Sequence, residues 1–398
     1  MSVSASPGVP STSADISFAT LIALIVGITI GDMSLFIVPL LVGGLIETYG
    51  LSEGQVGLVI AFRLGALALA SFILSARIHR VDRRLFAFIG VALVIAGNLG
   101  AAFADTSAGY IFWRMVMGVG EGVILTVITA IGAASRNPEK IFAILSFWLF
   151  AGSILIFLVA PPVLGAFGIR TTFILVAAVA AALSPVFLFI TREKSADTNL
   201  APTRFTWSSA SIGVLAAVLL LSVGANSAWF YLERIGERMG MSLAEVGNAL
   251  VIVAVVALLG PLIAHQANTR FGRLKPIVLG FVVLAAAAIL MTHTRSPLVY
   301  TAGISFSSIG LAFTSIYLLG IASVLDSHGR LAAACRGFLA IGNAVAPGIG
   351  GSILLLGGNY ELIGWAAVIA SFLAIAVASP GARLSDRRAR ADAQPAVT

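Results

Sequence analysis

Four ionisable residues lie well inside long apolar runs: Asp32 within 18–45, Arg63 within 54–77, and Arg114 and Glu121 within 108–133. A charge in such surroundings is costly unless it is paired or wetted. A carboxylate there can take up and release a proton, because desolvation and a neighbouring cation pull its protonation in opposite directions. Glu121 is the first candidate for proton coupling and Asp32 the second. Arg63 and Arg114 can serve charge pairing or anion binding, since a guanidinium grips carboxylates and phosphates with charge-assisted bonds. The same groups could instead be structural salt bridges, Asp32 or Glu121 with Arg63. Arg114 and Glu121 are seven residues apart, on one helix face but about 10 Å from each other, too far for a direct bond. Gly118 and Gly122 clear that face, either for close helix approach or for a substrate.

Softer polar groups populate the second half of the chain: Asn226, Trp229, Tyr231, Asn248, Ser305, Ser307, Ser308, Tyr317 and Asn343. They are candidate substrate-cavity residues or helix-packing polar groups, and Trp229 with Tyr231 also suits a membrane interface. Other chemistries lack their parts. One cysteine, Cys335, makes no intrachain disulfide and no cysteine-based metal site. His265, His293 and His328 have no metal-ligand spacing. There is no phosphate-binding loop and no nucleophilic triad. The expectation is therefore no enzyme, no metal, no cofactor and no nucleic-acid partner.

These residues need elements to hold them. Hydrophobic residues make up 59% of the 398 and charged ones 10%, against about 25% charged in soluble domains. Apolar runs fall at 18–45, 54–77, 85–104, 108–133, 139–164, 171–191, 209–232, 243–266, 276–293, 297–322, 331–355 and 360–380. Each is long enough to cross about 30 Å of hydrocarbon as a helix. With the N-terminus inside, the inner loops and tail carry 18 Lys and Arg and the outer loops 4, the bias that orients membrane proteins. The expected fold is an all-α integral membrane protein with twelve transmembrane helices in two homologous six-helix bundles, both termini cytoplasmic. The expected parts are a disordered leader at 1–16, a first bundle at 17–191, a cytoplasmic linker at 192–208, a second bundle at 209–380 and a basic cytoplasmic tail at 381–398. At about 1.5 Å per residue, Asp32, Arg63 and Glu121 share a layer near mid-membrane, with Arg114 one layer outward.

An internal repeat supports the two halves. Shifted by 190 residues, Gly50-Leu51-Ser52 meets Gly240-Met241-Ser242, Arg80 meets Arg270 and Arg83 meets Arg273. Each Ser can cap the helix that follows, with Glu53 or Glu245 near its first turn.

The loop Ser75-Ala76-Arg77-Ile78-His79-Arg80-Val81-Asp82-Arg83-Arg84 resembles the loop between spans 2 and 3 of the major facilitator superfamily, as does its second copy, Thr269-Arg270-Phe271-Gly272-Arg273. In that family the element is a gating latch, which implies gating roles for Arg80, Asp82, Arg83, Arg84, Arg270, Gly272 and Arg273. Arg114 to Gly120 is similar to a signature of proton-coupled members. Pro39 and the Tyr49-to-Ser52 turn resemble drug and small-metabolite exporters, and Pro162 to Gly165 partly resembles the antiporter signature, although Pro161 and Pro162 could simply kink or end the helix. The resemblance implies a monomeric, multi-pass inner-membrane transporter of a small organic substrate, surrounded by membrane lipid, with the proton as coupling ion. Proton-coupled efflux is one reading. Uptake of an organic acid by symport is another, and a non-transporting receptor or assembly factor on the same scaffold is a third.

Overall fold

Transmembrane helices form because the bilayer offers backbone groups no partner, so each apolar run must satisfy its own N–H and C=O groups. The computed structural model describes residues 16–78, 80–190, 208–267, 270, 272–326 and 330–392, and among them the regular structure is helical. The helices are α1 (Phe18–Ile37), α2 (Val42–Tyr49), α3 (Glu53–Ser75), α4 (Arg83–Ala102), α5 (Ser107–Ala133), α6 (Pro138–Leu183), α7 (Ser209–Asn226), α8 (Leu232–Glu237), α9 (Leu243–Ala257), α10 (Leu259–Ala267), α11 (Leu274–His293), α12 (Pro297–Leu325), α13 (Arg330–Leu355) and α14 (Tyr360–Asp392). Most of the leader at 1–16 and of the linker at 192–208 lies outside the described residues. So do His79, Thr269, Phe271 and His328.

Polar side chains begin these helices where the sequence offers them. Ser17, Asp82, Thr106, Asn137 and Ser208 each accept from a backbone N–H one turn on, supplying a partner that the helix start lacks. Ser52 with Gln55, and Ser242 with Glu245, form reciprocal capping boxes at positions 190 apart. Gly50 and Gly240, again 190 apart, take the left-handed φ values of 64° and 79° that let the chain turn before each box.

The chain departs from the expected spans in five places. The run 18–45 is not one helix: a 3₁₀ turn at Val38–Leu40, carrying Pro39, separates α1 from α2. The run 209–232 breaks likewise at Trp229–Tyr231 before α8, and the run 243–266 breaks at Leu258 between α9 and α10. The runs 139–164 and 171–191 join in the 46-residue α6, and the Pro161–Pro162 pair does not end it. A straight helix of that length would reach about 69 Å, more than twice the hydrocarbon thickness. It folds at Gly168, whose φ of 73° is non-helical. Among the described residues eleven stretches are long and apolar enough to span, and the longest, Lys140–Phe189, counts as two when divided there. Finally α14 continues past 380 into the expected tail. Asp386 accepts from the backbone N–H of Arg273 at 2.8 Å and of Leu274 at 3.3 Å, capping α11.

Large apolar side chains point outward, among them Phe18, Phe72 and Leu298, each more than three-quarters exposed. Such a surface suits hydrocarbon rather than water. Inside, one core gathers residues 23–190, a second residues 214–382, and a third joins both parts of the chain. Lipid is as apolar as leucine, so close approach and van der Waals contact hold helix to helix. Glycine permits that approach between α3 and α5. A Cβ at Gly118 would lie 2.3 Å from the Arg63 carbonyl oxygen, and one at Gly122 2.3 Å from that of Leu67.

Gly118→Val should therefore lower the melting temperature in detergent, with a stability loss of about 1–3 kcal/mol. Gly65→Ala, whose new methyl would meet nothing within 4 Å, should be neutral or slightly stabilising. Equal melting temperatures for Gly118→Val and the unsubstituted protein would remove glycine packing as the basis of this contact.

Candidate functional site

Three helices bring the deep charges together. Arg63 on α3 stands 3.6 Å (Nη1 to Oε1) from Glu121 on α5, and both side chains are almost wholly buried. Ser34 on α1 donates its hydroxyl to the same Glu121 oxygen. Asp32, two residues earlier on α1, is half-buried and within electrostatic reach of Glu121 and Arg63. Of the expected layer, Arg63 and Glu121 thus meet directly. Their hydrogen bonding is incomplete, since Nε and Nη1 of Arg63 and Oε2 of Glu121 have no hydrogen-bond partner.

Arg114 has other company. Its guanidinium lies 5.1 Å from the Phe173 ring centre and 6.0 Å from that of Tyr110, and it donates to Met117 Sδ at 3.0 Å. Aromatic faces attract a cation electrostatically, so the buried charge is accommodated among rings.

A cavity of about 340 Å³ lies between elements from both parts of the chain. Leu35 and Phe36 of α1 and Phe150, Ser153 and Phe157 of α6 form one side, and residues of α7, α9, α10, α12 and α13, with Trp229, Phe230 and Leu258 between helices, form the rest. The volume is in the range of small-molecule sites. No Asp, Glu, Lys, Arg or His is among the lining residues. Its polar features are hydroxyls, including Ser307 and Ser308, and an amide pair in which Asn226 Nδ2 donates to Asn343 Oδ1 at 3.1 Å.

Asn226, Trp229, Ser307, Ser308 and Asn343, among the candidates, therefore line the cavity. Five others do not. Gly118 and Gly122 face the α3 backbone, which occupies the space a substrate would need. Tyr231 is fully buried beside Gly57, its hydroxyl 3.4 Å from the Pro347 carbonyl. Ser305 donates to the Thr301 carbonyl of its own helix. Tyr317 packs on Phe313 in the core formed by residues 214–382. Arg63 and Arg114 also lie outside the lining. Asp32 shares the α1 face of Leu35 and Phe36 by its three- and four-residue spacing, which puts it on the cavity side. Ser34, on the opposite face, escaped the sequence reading because one serine among apolar residues carries no pattern.

The loop residues of the gating resemblance act locally. Asp82 accepts from the Leu85 N–H, Arg84 Nε donates to the Ile190 carbonyl at 2.7 Å, and Arg80 is exposed. Arg83 is buried. Gly272 turns the second loop with φ 71°, bringing Arg273 under Asp386, while Arg270 is exposed.

Contacts between the two parts of the chain concentrate at the end bearing α2 and α8. Gly54 and Gly57 of α3 lie against Gly351 and the Pro347 carbonyl of α13, where a Cβ on Gly57 would come within 2.5 Å of that oxygen. Arg234 reaches Glu53 at 3.4 Å. Leu41 gives α2 no side-chain cap, and Glu233 supplies one from across the chain, accepting from Gly43 N–H at 3.0 Å. Gly43 and Glu233 are 190 residues apart, so equivalent positions of the repeat meet each other.

A many-helix membrane protein with an uncharged internal cavity beside a buried charge cluster is the architecture of a carrier. The chain belongs to the Major Facilitator Superfamily, whose model matches residues 22–351. It is 27% identical over 357 residues to the multidrug resistance protein MdtL of Escherichia coli O45:K1 (strain S88 / ExPEC), covering 83% of this chain and 88% of that one. Its fold matches a peptide transporter with a TM-score of 0.75 at 14% identity, covering 94% of this chain and 98% of the other. A D-xylose-proton symporter matches with a TM-score of 0.71 at 16% identity, covering 90% and 97%. The protein is a multi-pass inner-membrane secondary transporter that works by alternating access, and it is not an enzyme.

Alternating access requires these end contacts to break in each cycle. Glu233→Ala should shift the balance toward the form open at that end by about 1 kcal/mol, roughly fivefold, the usual scale of a helix cap. Spin labels at Glu47 and Ala244, with Cys335 replaced, would read it as a larger long-distance population in pulsed electron resonance. Unaltered populations would dismiss Glu233 as a latch.

Proposed function

We propose that the protein exports a small, lipophilic, uncharged organic molecule in exchange for protons. The carrying observation is the separation of an ion-free cavity from a buried carboxylate–guanidinium cluster one helix away. A cavity lined by rings, aliphatic side chains, hydroxyls and an amide pair suits an apolar ligand with one or two hydrogen-bonding groups. An organic acid would enter it without a counter-cation, since Arg63 and Arg114 lie outside the lining. That favours efflux over acid uptake. Similarity to a relative named for multidrug resistance supports the same direction. A receptor without transport would have no use for both cavity and cluster.

Asp32 and Glu121 share the field of Arg63, and each carboxylate's charge acts on the other. We assign them one exchangeable proton, with Glu121 as its principal seat and Asp32 as its contact with the cavity side. Substrate at the α1 face would alter the cost of charging Asp32 and so link the two ligands. The framework we propose is two six-helix bundles at 17–191 and 209–380, joined by a cytoplasmic linker at 192–208, with both termini cytoplasmic. The split of basic residues and the 190-residue repeat support it. Arg80 to Arg84 and Arg270 to Arg273 would brace the cytoplasmic ends of α4 and α11, and the working unit would be a monomer.

Two measurements test this. Single cysteines at Asp105 and Arg238, with Cys335 replaced, should react with an impermeant thiol reagent outside intact cells, and one at Arg136 should not. Labelling at Arg136 would overturn the orientation. In liposomes, with an uncharged lipophilic dye as probe, Glu121→Gln should retain dye exchange and lose transport driven by a proton gradient. Removing one member of a buried ion pair costs about 3–5 kcal/mol, so the variant should melt earlier, and Arg63→Met should restore stability without restoring coupling. Full gradient-driven transport by Glu121→Gln would eliminate Glu121 as the carrier.

A further inference from the structure

We propose that Ser34 is the positioning residue of the proton site, its hydroxyl partnering Glu121 as acceptor of the acid's proton and as donor to the carboxylate. This rests on the proton-coupled reading above and names a part of the site that reading does not include.

Glu121 is fully enclosed, and its hydrogen bond from Ser34 is the one its side chain makes among the described residues. Arg63 Nη1 at 3.6 Å lies beyond hydrogen-bond range, and Glu121 Oε2 has no partner. The charged and titratable groups acting on Glu121 are Asp32 from α1, Arg63 from α3 and Arg114 from α5 itself. The guanidiniums favour the carboxylate, but neither can accept a proton from the acid, because a guanidinium has donors only. A hydroxyl can do both.

The step is a plain proton transfer. An O–H bond forms at Glu121 and one breaks at the donor, hydronium. The new O–H then points at Ser34 Oγ. The serine's own proton turns back toward its helix, where serine hydroxyls commonly bond the carbonyl four residues earlier. On return the serine proton swings back to the carboxylate. Neither state leaves Glu121 without a partner, and α1 stays joined to α5 in both. Ser34 is itself buried, and it lies on the α1 face opposite Leu35 and Phe36, so water from the cavity does not substitute for it.

The experiment is an infrared pH titration of the full-length protein in detergent, following the carboxylic-acid carbonyl band that Glu121→Gln abolishes. Ser34→Ala withdraws a donor from the carboxylate and leaves the cations in place. The pH at which the band is half lost should rise by about one unit, since a hydrogen bond to a charged group is being removed. Ser34→Cys, with its weaker donor, should give a smaller rise, and Ser34→Thr should return the midpoint to that of the unsubstituted protein. If Ser34→Ala does not fold, the Cys and Thr variants carry the same comparison. An identical midpoint across the series would overturn the role of Ser34 while leaving Glu121 as the proton seat. A Glu121→Gln variant that loses no titrating band would instead sink the proton reading, and this proposal with it.

Discussion

The Arg63–Glu121 pair is the constraint around which the first half of the chain is arranged. Two buried ions each carry a desolvation cost of several kcal/mol, which only close opposite charge and hydrogen bonds offset. Closeness here depends on glycine. Gly118 lies against the carbonyl of Arg63 itself, so the contact that packs α3 on α5 also delivers the guanidinium to Glu121 one turn further on. A larger residue at Gly118 would separate the helices and the charges together. The pair is nonetheless short of hydrogen bonds, with three of its polar atoms unpartnered. An arrangement so incompletely satisfied leaves room for the proposed proton to act, whereas a fully bonded one would resist.

The other polar contacts fall into two kinds that serve different purposes. Asp82 and Asp386 cap α4 and α11 from within their own side of the chain and stiffen it. Glu233 and Arg234 cross to Gly43 and Glu53 on the other side. Rigid units joined by few, breakable bonds are what a rocking motion requires, because close-packed interiors switch between discrete packings and do not deform continuously. The glycine-mediated contact of α3 with α13 follows the same logic, being close but without an ion pair at its centre.

Much of this was legible in the residues and some was not. The many-span helical character followed from apolar length, because hydrocarbon forces every run to satisfy its own backbone. The deep charges stood out by type alone, and the rise per residue was enough to bring Asp32, Arg63 and Glu121 to one level. Helix breaks were less visible. Pro39 gave some warning of the 3₁₀ turn after α1, but the matching turn at Trp229–Tyr231 has no proline and follows from packing. Gly118 and Gly122 were ambiguous because the same absence of a side chain serves a close helix or an open space, and only the position of α3 decides. Tyr231, Ser305 and Tyr317 were misplaced because polarity does not reveal which way a helix is rotated. Glu233 lay hidden at the end of a run, where a carboxylate reads as a loop charge, and its partner is a backbone N–H that carries no sequence signal.

The walls of the cavity come mostly from α7 onward, while the buried ion pair belongs to helices before the linker. Substitutions at Ser307, Ser308 or Asn343 change shape and hydrogen bonding in the chamber without touching Arg63 or Glu121. With the cavity as the proposed substrate site, selectivity is free to drift over generations while the ion pair stays intact. A lineage built on this plan can acquire new compounds by altering one half of a gene, and its descendants should differ more in what they carry than in what powers them.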